Sequence, residues 1–327
     1  GTEIPSASFA PTFETTSQTI TIRVERDPSY PNITNPDGLC YDETTLEFIV
    51  DDTPEINPVV IAPHCDGDDG NDDRDGFDQF DTSTLTADLL GPNQSLDDYE
   101  ISYLYTDEDG NLLSAPELRN PFNTKTQTVV VTLTNKLNTT CPATYNIDFV
   151  VNPIPEFTVD DATIVCLNLP PIPIGVVSAD GVYSYTWTHT DLNGNNTPFP
   201  STEDIIFIGV GGTYYVTATT TDGTNCSRTL SIEVEESEIA TLTLDDITVE
   251  DLTSDNNNTI TIDTANLGIG DYEFAIDDPN GPYQNEPLFE NVRPGIHTIY
   301  IRDKNDCGIA QIDVSVIGYK KFFTPNG

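Results

Sequence analysis

Residues 127–151, QTVVVTLTNKLNTTCPATYNIDFVV, decide the fold class of this chain. Apolar side chains fall at every second position in each half of the stretch, and these are Val129, Val131, Leu133, Tyr145, Ile147, Phe149 and Val151. Successive side chains of a β-strand point to opposite faces, so this alternation places them on one face of each strand. The two halves are joined by a loop that contains Cys141, and the stretch therefore predicts a hairpin of strands.

The same period of two recurs along the chain, with Thr, Val, Ile and Tyr dominating and Asp-Gly, Asn-Gly and Pro-rich turns in between. The aligned faces are Ile20, Ile22 and Val24; Tyr183, Tyr185 and Trp187; Tyr214, Val216 and Ala218; Ile299 and Ile301; and Ile312, Val314 and Val316. No helix is predicted beyond short turns in TADLL (86–90) and SLDDY (95–99). The predicted fold is all-β, with tandem immunoglobulin-like β-sandwich domains forming an elongated rod.

An internal repeat sets the predicted domain boundaries. Residues 18–56 resemble residues 127–157, and each stretch has a hairpin, a cysteine in the connecting loop, an exit strand and a Pro-containing linker. Cys40 and Cys141 are 101 residues apart, as are Cys65 and Cys166. The predicted domains are 1–52, the C-terminal half of an Ig-like repeat; 53–156, an Ig-like repeat with an acidic loop; 157–237, an Ig-like or PKD-like domain; and 238–318, a further β-sandwich.

Composition excludes several classes of partner. The 327 residues carry 55 acidic and 12 basic side chains, which gives a net charge of −43. Such a field repels nucleic acid and anionic membrane and attracts divalent cations. No apolar run is long enough to span a bilayer, so membrane insertion is not expected. The chain contains no methionine, and we expect it to be an internal segment or a processed product.

Six widely spaced cysteines, without CxxC or a Cys/His cluster, predict disulfides and an extracellular location. The expected pairs are Cys65–Cys141 and Cys166–Cys226, each tying the start of a domain to its late part. They close loops of about 75 and 60 residues, worth roughly 4 kcal/mol each in the chain-entropy model. A rival scheme joins cysteines 25 residues apart across the linkers, namely Cys40–Cys65 and Cys141–Cys166. Cys40 is expected to have an upstream partner, and Cys307 is expected to be free.

The acidic loop CDGDDGNDDRDGFDQFD, residues 65–81, predicts a Ca²⁺ site. Oxygen ligands at alternate positions with a glycine for the tight turn suit a hard cation. The predicted ligands are Asp66, Asp68, Asn71, Asp73, Asp75 and Asp78. Thr82 stands where an EF-hand needs glutamate, so a conventional EF-hand is excluded. The alternative is a solvated acidic turn.

The sequence does not favour an enzyme. Nucleophilic catalysis of the Ser/His/Asp type needs a histidine near a nucleophile, and His64, His189 and His297 fall in three different predicted domains. With so many carboxylates, a pair suited to glycoside hydrolysis carries no information. Trp187 is predicted to fill a core rather than to stack on a sugar.

The final residues 318–327, GYKKFFTPNG, resemble the entry to the type B sorting domain of type IX secretion substrates, also called the gliding-motility-associated C-terminal domain. Residues 319–327 are therefore predicted to begin that domain. Residues 270–319 resemble the module that commonly precedes it, and 53–156 resemble repeats of large flavobacterial surface adhesins.

This resemblance implies a Bacteroidota surface adhesin that is exported across the outer membrane and acts in attachment or gliding motility. The implied partners are the type IX secretion and outer-membrane surface machinery, with a glycan or surface ligand elsewhere in the parent protein. Asp263-Thr264-Ala265 matches the short O-glycosylation pattern of these bacteria, which makes Thr264 a candidate modification site.

Three functions fit these observations. The first is a non-enzymatic stalk or spacer that projects a distal adhesive region from the cell. The second is a glycan- or protein-binding module that uses exposed loops. The third is an accessory stalk of a secreted hydrolase.

Overall fold

The computed structural model describes residues 12, 14–25, 41–50, 53–67, 74–252 and 257–318. The chain forms two compact units, of which the first comprises Gly1–His64 and Asp75–Val151, and the second Cys65–Arg74 and Asn152–Gly327. Strands dominate both, and within the described ranges α-helix is confined to one six-residue segment. The prediction of an all-β chain of tandem immunoglobulin-like sandwiches is confirmed. No helix in the described part has the length and apolar character that crossing a bilayer requires.

Unit 1 begins with an antiparallel hairpin of β1 (Gln18–Glu25) and β2 (Tyr41–Phe48). The apolar face predicted for β1 remains exposed to solvent, since Ile22 and Val24 are 42% and 66% exposed. The hairpin thus follows the predicted strand period without burying its apolar face.

The remaining elements of this region form a sandwich. They are β3 (His64–Cys65), β4 (Asp78–Phe80), α1 (Leu85–Leu90), β5 (Tyr99–Thr106), β6 (Leu112–Ala115), β7 (Phe122–Thr124), β8 (Gln127–Asn135), β9 (Ala143–Phe149) and β10 (Val151–Asn152). The main sheet has the order β6-β5-β8-β9, and β4 pairs with β7. The quoted stretch forms the β8–β9 hairpin, with Val131 opposite Tyr145. Val129, Val131 and Phe149 are fully buried, and α1 adds Leu85 and Leu89 to the same core.

The first sandwich of unit 2 has eight strands. They are β11 (Phe157–Val159), β12 (Thr163–Cys166), β13 (Ile172–Ala179), β14 (Tyr183–Thr190), β15 (Asn196–Phe199), β16 (Ile205–Ile208), β17 (Gly212–Thr220) and β18 (Ser227–Ser237). A sheet of order β11-β13-β16 packs against one of order β12-β18-β17-β14-β15. Trp187 lies in the core, 2% exposed, and its Nε1–H donates to the Glu203 carbonyl at 2.9 Å.

The second sandwich of unit 2 contains a 3₁₀ turn (Leu244–Asp246) and six strands. The strands are β19 (Ile247–Glu250), β20 (Asn258–Ile262), β21 (Tyr272–Ile276), β22 (Leu288–Val292), β23 (Gly295–Asp303) and β24 (Ile309–Val316). Its sheets have the orders β19-β20-β22 and β21-β23-β24. Ile299 and Ile301 are fully buried, as the alternation predicts.

Among the residues that the structure describes, three hydrophobic cores therefore lie between residues 80 and 151, 157 and 234, and 240 and 316. The predicted domain boundaries remain predictions, and residues 319–327 lie outside the described residues.

One loop type recurs in the first two of these sandwiches. The β5–β6 loop has the sequence DEDGN from Asp107, and the β14–β15 loop has DLNGN from Asp191. In each, the glycine lies in the left-handed region, with φ of +85° for Gly110 and +86° for Gly194. The asparagine that closes each loop donates hydrogen bonds that lower the pKa of the aspartate. The shared loop and the matching sheet orders, β6-β5-β8-β9 and β15-β14-β17-β18, indicate that β5 and β6 are equivalent to β14 and β15.

Candidate functional site

The cysteines define the candidate functional site, and their pairing corrects the prediction. Cys65 bonds to Cys226, and Cys166 bonds to Cys307, with Cα–Cα distances of 5.6 and 5.3 Å. Cys141 is free and exposed. The predicted pairs Cys65–Cys141 and Cys166–Cys226 are therefore wrong, and so is the expectation that Cys307 is free. The rival pair Cys141–Cys166 does not form either, and Cys40 lies outside the described residues.

The pair Cys65–Cys141 fails because its members lie beside opposite ends of one strand. Cys141 precedes β9, whereas the N–H of His64, next to Cys65, donates to the Val150 carbonyl just after β9. Nine residues of extended chain span about 30 Å, far beyond the roughly 7 Å that a disulfide allows between Cα atoms.

The pair Cys166–Cys226 fails for the same reason. Strand β12 pairs in parallel with the end of β18, which sets Cys166 opposite Ser237. Cys226 immediately precedes Ser227, at the start of β18. The eleven-residue strand separates the two cysteines by about 35 Å.

The Cys166–Cys307 disulfide lies where the chain passes from the first to the second sandwich of unit 2. The Asn168 side chain adds two links there, since its Nδ2 donates to the Cys307 carbonyl at 2.8 Å and its Oδ1 accepts the Ile239 N–H at 3.1 Å. Gly308 has a φ of +138°, and a Cβ at this position would come within 3.0 Å of the Ile239 side chain. The linker therefore packs closely against the loop that carries Cys307. The disulfide and the Asn168 hydrogen bonds stabilise the junction in addition to the linker backbone.

A buried carboxylate completes this junction. Asp303 is 0% exposed, and its Oδ1 accepts hydrogen bonds from Ser237 Oγ at 2.9 Å and the Asp271 N–H at 3.2 Å. Its Oδ2 accepts the N–H groups of Asn305 at 3.1 Å and Cys307 at 3.2 Å. The buried charge thus holds the Cys307 loop in shape and bonds it to the last residue of β18, because a buried carboxylate is stable only with several donors.

Tyr272 lies beside the same junction. Its hydroxyl bonds to the carbonyl oxygens of Glu238 at 3.1 Å and Leu267 at 3.3 Å. Burial, together with the negative charges of Glu238 and Asp303, raises its pKa to about 12. The neutral phenol is therefore the form that suits this acidic surrounding.

The Cys65–Cys226 disulfide is also held on both sides within unit 2. Asp66, next to Cys65, donates its N–H to the Asn152 carbonyl at 2.8 Å. Cys226 is fully buried and exchanges two hydrogen bonds with Thr220, which closes the β17–β18 loop. The wide spacing of the cysteines predicts that both are oxidised, but the partner of each depends on which strand ends meet.

The structure describes half of the predicted Ca²⁺ ligands. Asp68, Asn71 and Asp73 lie outside the described residues. Asp66 belongs to unit 2, whereas Asp75 and Asp78 belong to unit 1.

The described ligands have local contacts of their own. Asp75 Oδ1 accepts the Phe77 N–H at 2.8 Å, and the buried Asp78 has its Oδ2 2.6 Å from His64 Nδ1. Among the described residues no three His, Cys, Asp or Glu side chains are grouped to hold a metal ion. Calcium binding by this loop stays a prediction.

The other two histidines make structural contacts in unit 2. His189 Nε2 lies 2.9 Å from the Gly211 carbonyl, and its ring stacks on Tyr214. His297 lies between two acceptors, with Nδ1 2.7 Å from Asp277 Oδ2 and Nε2 2.6 Å from the Arg293 carbonyl. Burial of His297 opposes its positive charge, but these hydrogen bonds and the Asp277 charge outweigh that effect and raise its pKa.

The candidate glycosylation residue Thr264 is exposed, in the turn that follows β20. Asp263 Oδ1 accepts the Ala265 N–H at 3.0 Å, which shapes this turn. Glycosylation there remains a prediction with an accessible hydroxyl.

Comparison with known proteins finds a family model that matches part of the chain. Residues 63–155 match the family model of the Flavobacterium inter-domain disulphide bond domain. The match indicates a Bacteroidota protein with Ig-like repeats. A search of the curated proteins gives no match.

Solved structures with tandem domains are similar at low sequence identity. Extracellular domains 3–5 of Drosophila OTK are 14% identical, with 83% of this chain and 99% of that chain covered and a TM-score of 0.33. Immunoglobulin domains 1–4 of Sidekick-1 are 12% identical, with coverages of 95% and 98% and a TM-score of 0.32. Domains FN1–FN3 of chicken CNTN1 are 15% identical, with coverages of 70% and 91% and a TM-score of 0.26.

The two disulfides indicate where the protein resides. Disulfides persist in oxidising compartments and are rare in the cytosol. Both bonds are formed between cysteines held by surrounding hydrogen bonds, so the chain belongs to an extracellular or secreted protein.

Proposed function

We propose that this chain is a non-enzymatic stalk or spacer in a large cell-surface adhesin that acts in attachment or gliding motility and is exported by type IX secretion. The observation that carries the proposal is the junction inside unit 2, where the Cys166–Cys307 disulfide, the Asn168 clamp and buried Asp303 bind consecutive sandwiches together. A junction that fixes one sandwich to the next suits a spacer, because a spacer has to keep a constant length. The FFTPNG phrase supports the export route by resemblance.

The partners follow from this proposal. They are the type IX secretion and outer-membrane surface machinery, which a sorting domain beginning at 319–327 would engage, and a glycan or surface ligand bound elsewhere in the parent protein. The net charge of −43 disfavours nucleic acid and anionic membrane as partners.

A replacement experiment tests the spacer function. In the parent protein, an in-frame deletion of residues 157–318 should reduce surface adhesion or gliding while export continues. Replacing the same residues with two unrelated immunoglobulin-like domains of equal length should restore the activity, because a spacer acts through length. If only the original sequence restores adhesion, the spacer proposal is wrong and a binding function is supported.

Scattering provides a physical test of the same proposal. The oxidised chain should scatter as an extended particle in small-angle X-ray measurements, and reduction of the disulfides should increase its flexibility. A compact globule in both states would contradict a spacer.

A glycan- or protein-binding module is the second candidate. A cavity of about 250 Å³ in unit 1 is lined by aromatic and charged side chains, including Tyr105, Glu108, Arg119 and Phe122. Such a mixture of ring faces and polar groups suits a small polar ligand. A glycan array probed with the chain, with and without Ca²⁺, separates the candidates, since a spacer gives no binding above that of an Arg119→Ala variant.

A further inference from the structure

The outer face of the main sheet in the first sandwich of unit 2 carries a single charged side chain on its three central strands. On β14, β17 and β18 the side chains that point away from the core are alternate residues, from Ser184 to Thr190, from Thr213 to Thr219 and from Ser227 to Glu233. Ten of these twelve residues are serine or threonine, and the other two are Tyr215 and Glu233. We call these twelve residues the hydroxyl face.

Strand pairing arranges the hydroxyl face as a regular array. Thr186, Thr217 and Thr229 form one row across the three strands, and the hydroxyl oxygens of Thr217 and Thr229 lie 2.7 Å apart. Tyr215 lies in the next row, between two further hydroxyl residues. Neighbouring strands are about 4.8 Å apart, and alternate residues along a strand are about 6.8 Å apart. Because a hydroxyl group can rotate to donate or to accept, such an array suits a ligand that also consists of repeated hydroxyl groups.

The hydroxyl face is a property of this one sandwich rather than of strand-forming composition in general. Threonine favours strands in every sheet, but the equivalent face in unit 1, on β5, β8 and β9, has acidic, apolar or amide side chains at four of the twelve positions. These are Glu100, Leu104, Val130 and Asn146. The outer face of the second sandwich in unit 2 includes Glu273, Arg302 and Asp313. In a chain with a net charge of −43, the near absence of charge from the hydroxyl face therefore has to be explained by what that face contacts.

The side chains of the hydroxyl face suit a carbohydrate better than a protein. Protein interfaces are depleted in serine at their cores, and their binding energy comes mainly from tryptophan, tyrosine and arginine. The hydroxyl face instead has one tyrosine among ten serine and threonine residues. Tyr215 offers a rigid amphipathic ring that a sugar ring can contact, and the surrounding hydroxyls offer adaptable hydrogen bonds.

The charge of the chain selects among carbohydrates. Its acidic field repels polyanions, and Glu233, the one charged residue of the hydroxyl face, is itself an acid. A neutral polymer is not repelled, and it matches a face that is nearly without charge.

We propose that the hydroxyl face binds a neutral polysaccharide. Successive sugars contact several rows of the array at once, so that many weak hydrogen bonds act together. This binding goes beyond the proposed spacer function and is compatible with it, because the two disulfides lie at strand ends. Cys226 immediately precedes β18, and Cys166 lies opposite Ser237 at the other end of that strand.

Affinity electrophoresis of the intact chain tests the proposal. Each native gel contains one soluble polysaccharide, which is a neutral β-glucan, mannan, xylan or galactan, or the anionic polygalacturonate. We expect at least one neutral polysaccharide to retard the chain and polygalacturonate to leave its mobility unchanged. If none of the neutral polysaccharides retards the chain, or if polygalacturonate retards it as strongly as they do, the proposal is wrong. Such a failure leaves the spacer proposal in place, because that proposal depends on the disulfide junction.

Substitutions locate the binding on the hydroxyl face. Thr229→Glu adds a carboxylate at an exposed position of the array, and we expect the affinity for the retarding polysaccharide to fall about tenfold, because the added charge has to lose water when the ligand binds. Tyr215→Ala should cause a loss of similar size, because it removes the ring. Thr144→Glu is the matched control, since Thr144 is exposed and holds the position on β9 that Thr229 holds on β18. Arg119→Ala, in the cavity of unit 1, should also bind as the wild type does.

The melting temperature of each variant shows that it is folded, and Tyr215→Ala decides the question if Thr229→Glu does not fold. Equal affinities of Thr229→Glu, Tyr215→Ala and Thr144→Glu would refute the assignment to the hydroxyl face. Loss of binding in Arg119→Ala alone would assign the polysaccharide to the cavity and would refute the assignment as well.

Discussion

Replacing the buried carboxylate of Asp303 with an amide should destabilise the junction in unit 2. In Asp303→Asn, one oxygen can still accept from Ser237 and Asp271, but an NH₂ group then faces the N–H groups of Asn305 and Cys307, which now donate to Oδ2. The buried N–H of Cys307 and the part-buried N–H of Asn305 lose their acceptor, at about 1–3 kcal/mol each. We therefore expect a loss of about 4 kcal/mol.

Calorimetry and hydrogen exchange measure this loss. For a domain of this size, 1 kcal/mol moves the Tm by about 4–8 °C, so a fall on the order of 20 °C is expected in the transition of the second sandwich. The amides of Asn305 and Cys307 should lose protection against exchange. Glu290→Gln is the matched control, because it removes one carboxylate from an exposed position on β22. Equal melting temperatures for the two variants would refute the role assigned to Asp303.

Four further outcomes are expected. The double variant Cys166→Ala with Cys307→Ala should lose up to about 5 kcal/mol in the chain-entropy model. Calorimetry of the reduced wild-type chain, in which Cys65–Cys226 is opened as well, should show a loss at least as large; no change in either would contradict a stabilising bond. Because the pKa of His297 is raised in the folded chain, its contribution is fully present below about pH 6.5 and is lost as the pH rises through the folded pKa. Denaturant unfolding across this window should show a smaller pH dependence for His297→Gln, and an unchanged profile would oppose the assignment. In an ultraviolet titration, an ionisation step of one tyrosine should occur near pH 12 and should be absent from Tyr272→Phe. Folded stability should fall as the pH rises from about 10 to about 12. Calorimetry with Ca²⁺ should show heat and a raised Tm if loop 65–81 binds the cation, and neither effect if it is a solvated turn.

The strand faces could be read from the sequence because burial acts on alternate residues. Val129, Phe149 and Ile299 are fully buried where period two places them. The same rule could not show that Ile22 and Val24 stay exposed, because burial also needs a second layer, and alternation within one strand does not report it.

The disulfide pairing could not be read in the same way. It depends on β12 lying parallel to the end of β18, which brings Cys166 to Ser237 across a long stretch of chain. No local pattern reports which ends of distant strands meet. The equal spacing of 101 residues did contain a signal, since equivalent cysteines in successive repeats point to a bond that passes from repeat to repeat.

Asp303 was missed for a related reason. Because the chain has 55 acidic residues, the sequence does not distinguish a buried structural carboxylate from the others unless its hydrogen-bond donors are known. The one local hint is its place two and four residues before Asn305 and Cys307, whose N–H groups it accepts.

The overlap of the two disulfides has a mechanical consequence. Cys65 and Cys307 are 242 residues apart along the backbone, but the bonds shorten the covalent route between them to the 60 residues that separate Cys166 from Cys226. At roughly 3.5 Å per extended residue, a pulling load that unravelled every strand could lengthen this route to only about 200 Å, against about 850 Å for the reduced chain. Under shear, the two disulfides would thus limit how far the chain between Cys65 and Cys307 can be extended.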